Sequence, residues 1–127
     1  MSESFDPSRG LIVVKVRIWG PGEPVVARLA VDTGATLTLV GSALLAIAGY
    51  YPSASGDHIR VTTGSGVEYV PQVAVERIEA LGQDRIDFPV VCHTLPPSAS
   101  VDGVLGLDFF RGQTLTIDFR SGTIDLA

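Results

Sequence analysis

The sequence predicts a mostly β domain with one or two short helices. Three observations carry this. Apolar residues alternate with polar ones at period two in several short runs, turns rich in glycine and proline separate the runs, and only two stretches read as helical.

The first run is Leu11 to Trp19, where Val14, Val16 and Ile18 alternate with Lys15 and Arg17. Pro21-Gly22-Glu23-Pro24 is a turn, and Val25 to Val31 reads as the returning strand. Asp32-Thr33-Gly34-Ala35 interrupts the pattern before Leu37 to Val40 resumes it. Ser42 as N-cap and Gly49 as C-terminal glycine bracket a short helix over residues 43–48. Ile59 to Thr63 and Val67 to Ile78 form a hairpin across Gly64-Ser65-Gly66, a turn suited to positive φ, with Pro71 marking an edge or bulge. Gly82-Gln83-Asp84 is a turn, and Arg85 to His93 a strand with Ile86, Phe88, Val90 and Cys92 on one face. A helical turn is expected within residues 106–111, then a hairpin of Leu115 to Phe119 and Thr123 to Leu126 across Ser121-Gly122. Residues 1–10, polar with Pro7 and Gly10, read as a loose N-terminal arm, and residues 11–127 as one domain. Strand, loop with Asp and Gly, then helix occurs at residues 25–49 and again at 86–111, a coarse internal echo.

The chain of 127 residues suits a single domain with a real core. Apolar residues reach 46% and charged ones 18%, an oily composition that implies a partner covering apolar surface. A net charge of −5 argues against nucleic acid, which needs a basic face. One cysteine, Cys92, excludes an intrachain disulfide, and two histidines, His58 and His93, are too few for a His/Cys metal cage. Neither a metal nor a cofactor is therefore expected. No apolar run is long enough to span a membrane. The N-terminus has no basic segment followed by an apolar one, so no signal peptide is read and the cytoplasm is the default location. A catalytic domain cut from a larger exported protein would look the same.

Asp32-Thr33-Gly34 is the candidate for chemistry. Asp supplies a carboxylate, Thr a hydroxyl able to brace a neighbouring backbone, and Gly a sharp turn with no Cβ over the carboxylate. The apolar flanks Leu29-Ala30-Val31 and Leu37-Thr38-Leu39-Val40 root the loop in the core, where a charge costs energy unless it is used or paired. The plain alternative is that Asp32 begins an ordinary Asp-x-Gly turn.

A second motif, Asp102-Gly103-Val104-Leu105-Gly106-Leu107-Asp108-Phe109, lies in the second half of the echo. Together with Asp32-Thr33-Gly34-Ala35 and the glycine-tipped hairpin, in that order, it resembles the retropepsin-like aspartic proteases, and among them the bacterial single-domain members. The likeness runs from about Leu11 to Leu126. It implies a retropepsin-like acid-protease fold: a single barrel-like lobe with a flap hairpin. It also implies Asp32 as the catalytic carboxylate, Thr33 as a brace across a two-fold axis, and Gly34 presenting backbone to substrate. Gly64, Ser65 and Gly66 would be the flap tip, and Ala35 and Val104 would border the substrate. Leu105, Gly106 and Asp108 would support the catalytic loop from beneath. Retroviral members often carry an Asp and an Arg where this chain has Thr36 and Leu107. Both halves of that ion pair are absent, and Asp108 offers a different polar link.

The resemblance implies an aspartic endopeptidase acting on peptide or protein substrates. Its chemistry needs two carboxylates sharing one proton. Asp102 precedes Gly103 directly and lacks the Thr, so a homodimer with one Asp32 from each chain is expected, with Thr123 to Leu126 contributing to an interface sheet. The competing reading is a catalytically silent module of the same fold that dimerises or binds peptide. Cys92 and His93 are strand neighbours facing opposite ways, so no Cys/His nucleophile is read from them.

Overall fold

The computed structural model describes residues 2–52 and 58–127. Of the segment read as an arm, Met1 lies outside the described residues. The strands are β1 (Ser2–Ser4), β2 (Val13–Trp19), β3 (Val25–Val31), β4 (Leu39–Gly41), β5 (His58–Thr63), β6 (Gly66–Ala80), β7 (Gln83–His93), β8 (Gly103–Leu105), β9 (Leu115–Asp118) and β10 (Thr123–Leu126). The helices are α1 (Ser42–Ile47) and α2 (Leu107–Phe110).

Six strands close into a barrel in the order β2-β3-β8-β4-β7-β6, with β6 pairing back onto β2. Alternation along β2 sends Val14, Val16 and Ile18 inward and Lys15 and Arg17 outward. With Leu29, Val75, Ile78, Leu105 and Phe109 they form the core, all at most 1% exposed. Phe109 meets Phe88 edge-to-face at 5.8 Å, and the Arg85 guanidinium lies over its ring, 4.5 Å from the centroid.

β6 serves two sheets. Its first part pairs with β5 from Gly66 to Pro71, and its second with β7 from Gln72 onward. Pro71, which has no N–H to give, sits at the changeover. Near the other end of β7, Asp87 adopts a left-handed φ of 50°. Alternation therefore changes sense there: Phe88, Val90 and Cys92 are buried, whereas Ile86 is 65% exposed and does not share their face as the sequence pattern suggested. The β6–β7 turn is Leu81-Gly82, one residue earlier than read, with φ of 54° and 75°, the two positive values a tight hairpin turn requires.

Ser42 is the first residue of α1 and not its cap. Gly41 holds the capping position without a side-chain bond, and the Ser42 hydroxyl instead lies 3.3 Å from that of Thr94. Trp19, whose place the sequence left open, is half-buried beneath the Arg77 guanidinium at 4.2 Å. Tyr50 ties the same region together: its hydroxyl donates to the Trp19 carbonyl and accepts from the Glu76 N–H, both at 2.8 Å.

The chain ends form a separate three-stranded sheet, β1-β10-β9. Ser2–Ser4, within the segment read as an arm, pairs with β10. β10 is thus the central strand, bonded on both sides. Within one chain the open edges of this sheet are β1 and β9.

Candidate active site

β8 lies between β3 and β4, parallel to the first and antiparallel to the second. The chain leaving β3 must therefore cross the end of β8 before returning as β4, and residues 32–38 make that crossing. The seven residues are laced to the segment after β8. Asp32 N–H donates to the Leu105 carbonyl (3.0 Å), Leu107 N–H to Ala35 (2.8 Å) and Asp108 N–H to Thr36 (3.2 Å). Leu105 and Gly106 are buried directly below. A Cβ on Gly106 would stand 2.7 Å from the Leu37 carbonyl, so only glycine admits this close approach.

Thr38 and Asp108 lock the arrangement from the side. Both Asp108 carboxylate oxygens accept the Thr38 N–H at 3.0 Å, and Oδ1 also accepts the Thr38 hydroxyl at 2.7 Å. That hydroxyl in turn accepts the Gly106 N–H at 3.1 Å. Thr38 is fully buried with every polar group satisfied. Sequence reasoning assigned Asp108 a supporting role but passed over Thr38. The signal was present as a lone hydroxyl within the apolar run Leu37 to Val40.

Asp32, Thr33 and Gly34 are exposed at the top of this crossing. The Gly34 N–H donates to Asp32 Oδ1 at 2.9 Å, and the Ala35 N–H to the Asp32 carbonyl at 3.1 Å, so the carboxylate is fixed by its own loop. The Thr33 hydroxyl has no partner among the described residues. Asp102 is held elsewhere: its carboxylate accepts the Arg28 N–H at 2.8 Å and its own N–H donates to the Arg28 carbonyl at 2.8 Å. Arg28 precedes Asp32 by four residues, roughly 13 Å at the rise of a strand. The two carboxylates of one chain therefore cannot share a proton.

A groove of about 450 Å³ runs beside the loop. Gly34, Ala35, Thr36, Leu37, Leu39, Val91 and Val104 line it together with residues Arg60, Val61 and Thr62 of β5. Ala35 and Val104, expected to border substrate, do line it. Gly64, Ser65 and Gly66 stand exposed at the end of the β5–β6 hairpin, with Gly64-Ser65 as the two-residue turn and Gly66 at φ 135°. The groove members Arg60 and Thr62 on β5, Val91 on β7 and Leu37 in the loop went unmarked in the sequence, because only strand order and the hairpin bring these separate segments together.

Cys92 and His93 do not form a reactive pair. Cys92 is 5% exposed and burial pushes its thiol pKa up, while the His93 Nδ1 lies 2.8 Å from the Thr94 carbonyl. Among the described residues no three His, Cys, Asp or Glu gather as metal ligands would, and no helix is long and apolar enough to cross a membrane.

An aspartyl protease family model matches residues 14–109, which contain both motifs and the hairpin between them. Among solved structures, a retropepsin-like aspartic protease from Rickettsia conorii superposes with a TM-score of 0.72. It is 14% identical, and the match covers 99% of this chain and 88% of that one, a likeness of fold. No curated protein sequence matches.

Proposed function

The chain belongs to the aspartyl protease family, with a retropepsin-like fold, and on that premise we propose that it is an aspartic endopeptidase whose catalytic dyad is two Asp32 side chains, one from each chain of a homodimer. The observation that carries this is the state of Asp32: an exposed carboxylate, oriented by the Gly34 N–H, on a loop braced from below, with Asp102 committed to Arg28.

A two-fold axis beside Asp32 would bring each carboxylate against its own copy, since symmetric dimers juxtapose identical residues. Two carboxylates about 3 Å apart hold one proton between them. The ionised member draws a proton from a water, and the protonated one donates to the scissile carbonyl as the water attacks. The ionisations split, and the apparent pKa values belong to the pair. Activity should follow a bell-shaped profile on the acid side. Thr33, with its hydroxyl unengaged in one chain, is the natural brace to the partner's loop. The β5–β6 hairpin, with Gly64, Ser65 and Gly66 at its tip, would close over an extended peptide and exclude water.

The test pairs Asp32→Asn with sedimentation. Wild type should cleave a peptide library at acidic pH, the variant should not, and activity should track the dimer fraction. Equal cleavage by both, or full activity in a monomer, would sink the dyad. A folded wild type inert across the acid range would leave a peptide-binding module of the same fold.

A further inference from the structure

We propose that Glu68, on the inner face of the β5–β6 hairpin, makes this site selective for peptides carrying a basic residue. The inference rests on the protease reading above and names the substrate class for the same site.

The hairpin has two unlike faces. Residues directly opposite each other on paired strands share a face, and neighbours along a strand alternate. Ile59 stands opposite Val70, and Val61 opposite Glu68. This is the inner face: Val70 is buried, Ile59 and Val61 are half-buried, and Val61 lines the groove beside the Asp32 loop. Arg60 opposite Tyr69 and Thr62 opposite Val67 make the outer face, and all four are exposed. The inner face thus sets one carboxylate, that of Glu68, beside three aliphatic side chains.

No cation of the chain neutralises it. Among the described residues Glu68 makes no ion pair, and its carboxylate accepts no hydrogen bond. The one arginine of the hairpin, Arg60, belongs to the opposite face. Glu68 also borders a hollow of about 550 Å³ with Pro71, Cys92, His93 and Thr94, where β6 and β7 have parted beyond the Gln72–Val91 pair. Among the described residues no Lys or Arg lines that hollow. The Glu68 side chain is exposed, so its carboxylate is open to an incoming group.

Lys and Arg join an aliphatic stem to a cationic head. A substrate Lys or Arg under the hairpin would lay its stem along Ile59 and Val61 and reach the Glu68 carboxylate with its head, in a charge-assisted hydrogen bond. The chain's net charge of −5 favours cationic peptides in general, whereas Glu68 would concentrate the preference at one position of the substrate.

The experiment profiles a peptide library at pH about 6, above the ordinary carboxylate range, with wild type, Glu68→Gln, Glu68→Lys and Glu23→Gln. Glu23 is exposed in the β2–β3 turn, so its variant makes the same change in net charge outside the hairpin. Wild type should favour Lys or Arg at one position by roughly two- to fivefold in kcat/KM, the size of an exposed ion pair. Glu68→Gln should abolish that preference, through KM and not kcat. Glu68→Lys should turn the same position toward Asp or Glu. Glu23→Gln should keep the wild-type profile, and high salt should shrink the preference. Wild-type cleavage without a basic preference overturns the role of Glu68 alone. So does a preference that Glu68→Gln leaves unchanged, or one that Glu23→Gln reduces equally. A wild type that cleaves nothing overturns both this inference and the protease reading.

Discussion

One carboxylate, that of Asp108, takes both the N–H and the hydroxyl of Thr38, at 3.0 and 2.7 Å. Through the same hydroxyl the Gly106 N–H is satisfied. The two loops that shape the site are thereby joined at a buried point. Thr38→Val keeps the shape and removes the hydroxyl, leaving the Gly106 N–H without an acceptor. A loss of about 2–3 kcal/mol is expected, seen as a lower denaturant midpoint at unchanged slope. A midpoint equal to wild type would show the clasp to be dispensable.

Gly103 lets β8 fit between its neighbours. Its φ is 154°, and a Cβ there would collide with the Leu39 carbonyl oxygen. Gly103→Ala should cost more than about 4 kcal/mol and prevent recovery of folded protein. Gly64, with nothing within 4 Å of an added Cβ, offers the contrast. Gly64→Ala should unfold within about 0.5 kcal/mol of wild type. Comparable thermal shifts in the two would refute this account of β8.

Asp32→Asn should leave stability near wild type, because the side chain is exposed and an amide oxygen can still accept from the Gly34 N–H. Turnover should fall at least about 10³-fold, at the strong end of what general acid–base groups contribute. Matched melting curves alongside single-turnover assays separate the two effects.

Acid should weaken the last hairpin before the barrel. Asp118 accepts the N–H groups of Ser121 and Arg120 in the β9–β10 turn, and these bonds hold its pKa below the usual carboxylate value. A depressed folded pKa means the stabilisation is complete above the unfolded pKa and is lost as pH falls through the folded one. Amide exchange in β9 and β10 should therefore quicken at strongly acidic pH, and Asp118→Asn should remove that dependence. An unchanged pH response in the variant would shift the cause elsewhere.

Cys92 should resist alkylation in the native protein at neutral pH, since burial both covers the thiol and raises its pKa. Labelling should appear only with global unfolding in denaturant. Rapid native labelling would place the thiol outside the core.

The strands were largely legible because period two and β-branched residues report burial directly, as Val14, Val16 and Ile18 do on β2. What failed locally failed for backbone reasons. Ile86 carries an inward pattern, yet the left-handed turn at Asp87 rotates it outward. Ser42 looks like a cap, yet Gly41 takes that position while its N–H donates to the Asp102 carbonyl.

The sequence by itself determined the family-defining elements: Asp32-Thr33-Gly34, the glycine-tipped hairpin, and the apolar-Gly motif ending in Asp108, since these are contiguous and chemically marked. Only the tertiary structure decided how they meet. Thr38 became the partner of Asp108, β5 came to line one groove with Leu39 and Val104, Asp102 was drawn to Arg28, and β10 was paired on both sides. Each of these joins residues distant in sequence through strand order and register, which no local run of residues encodes.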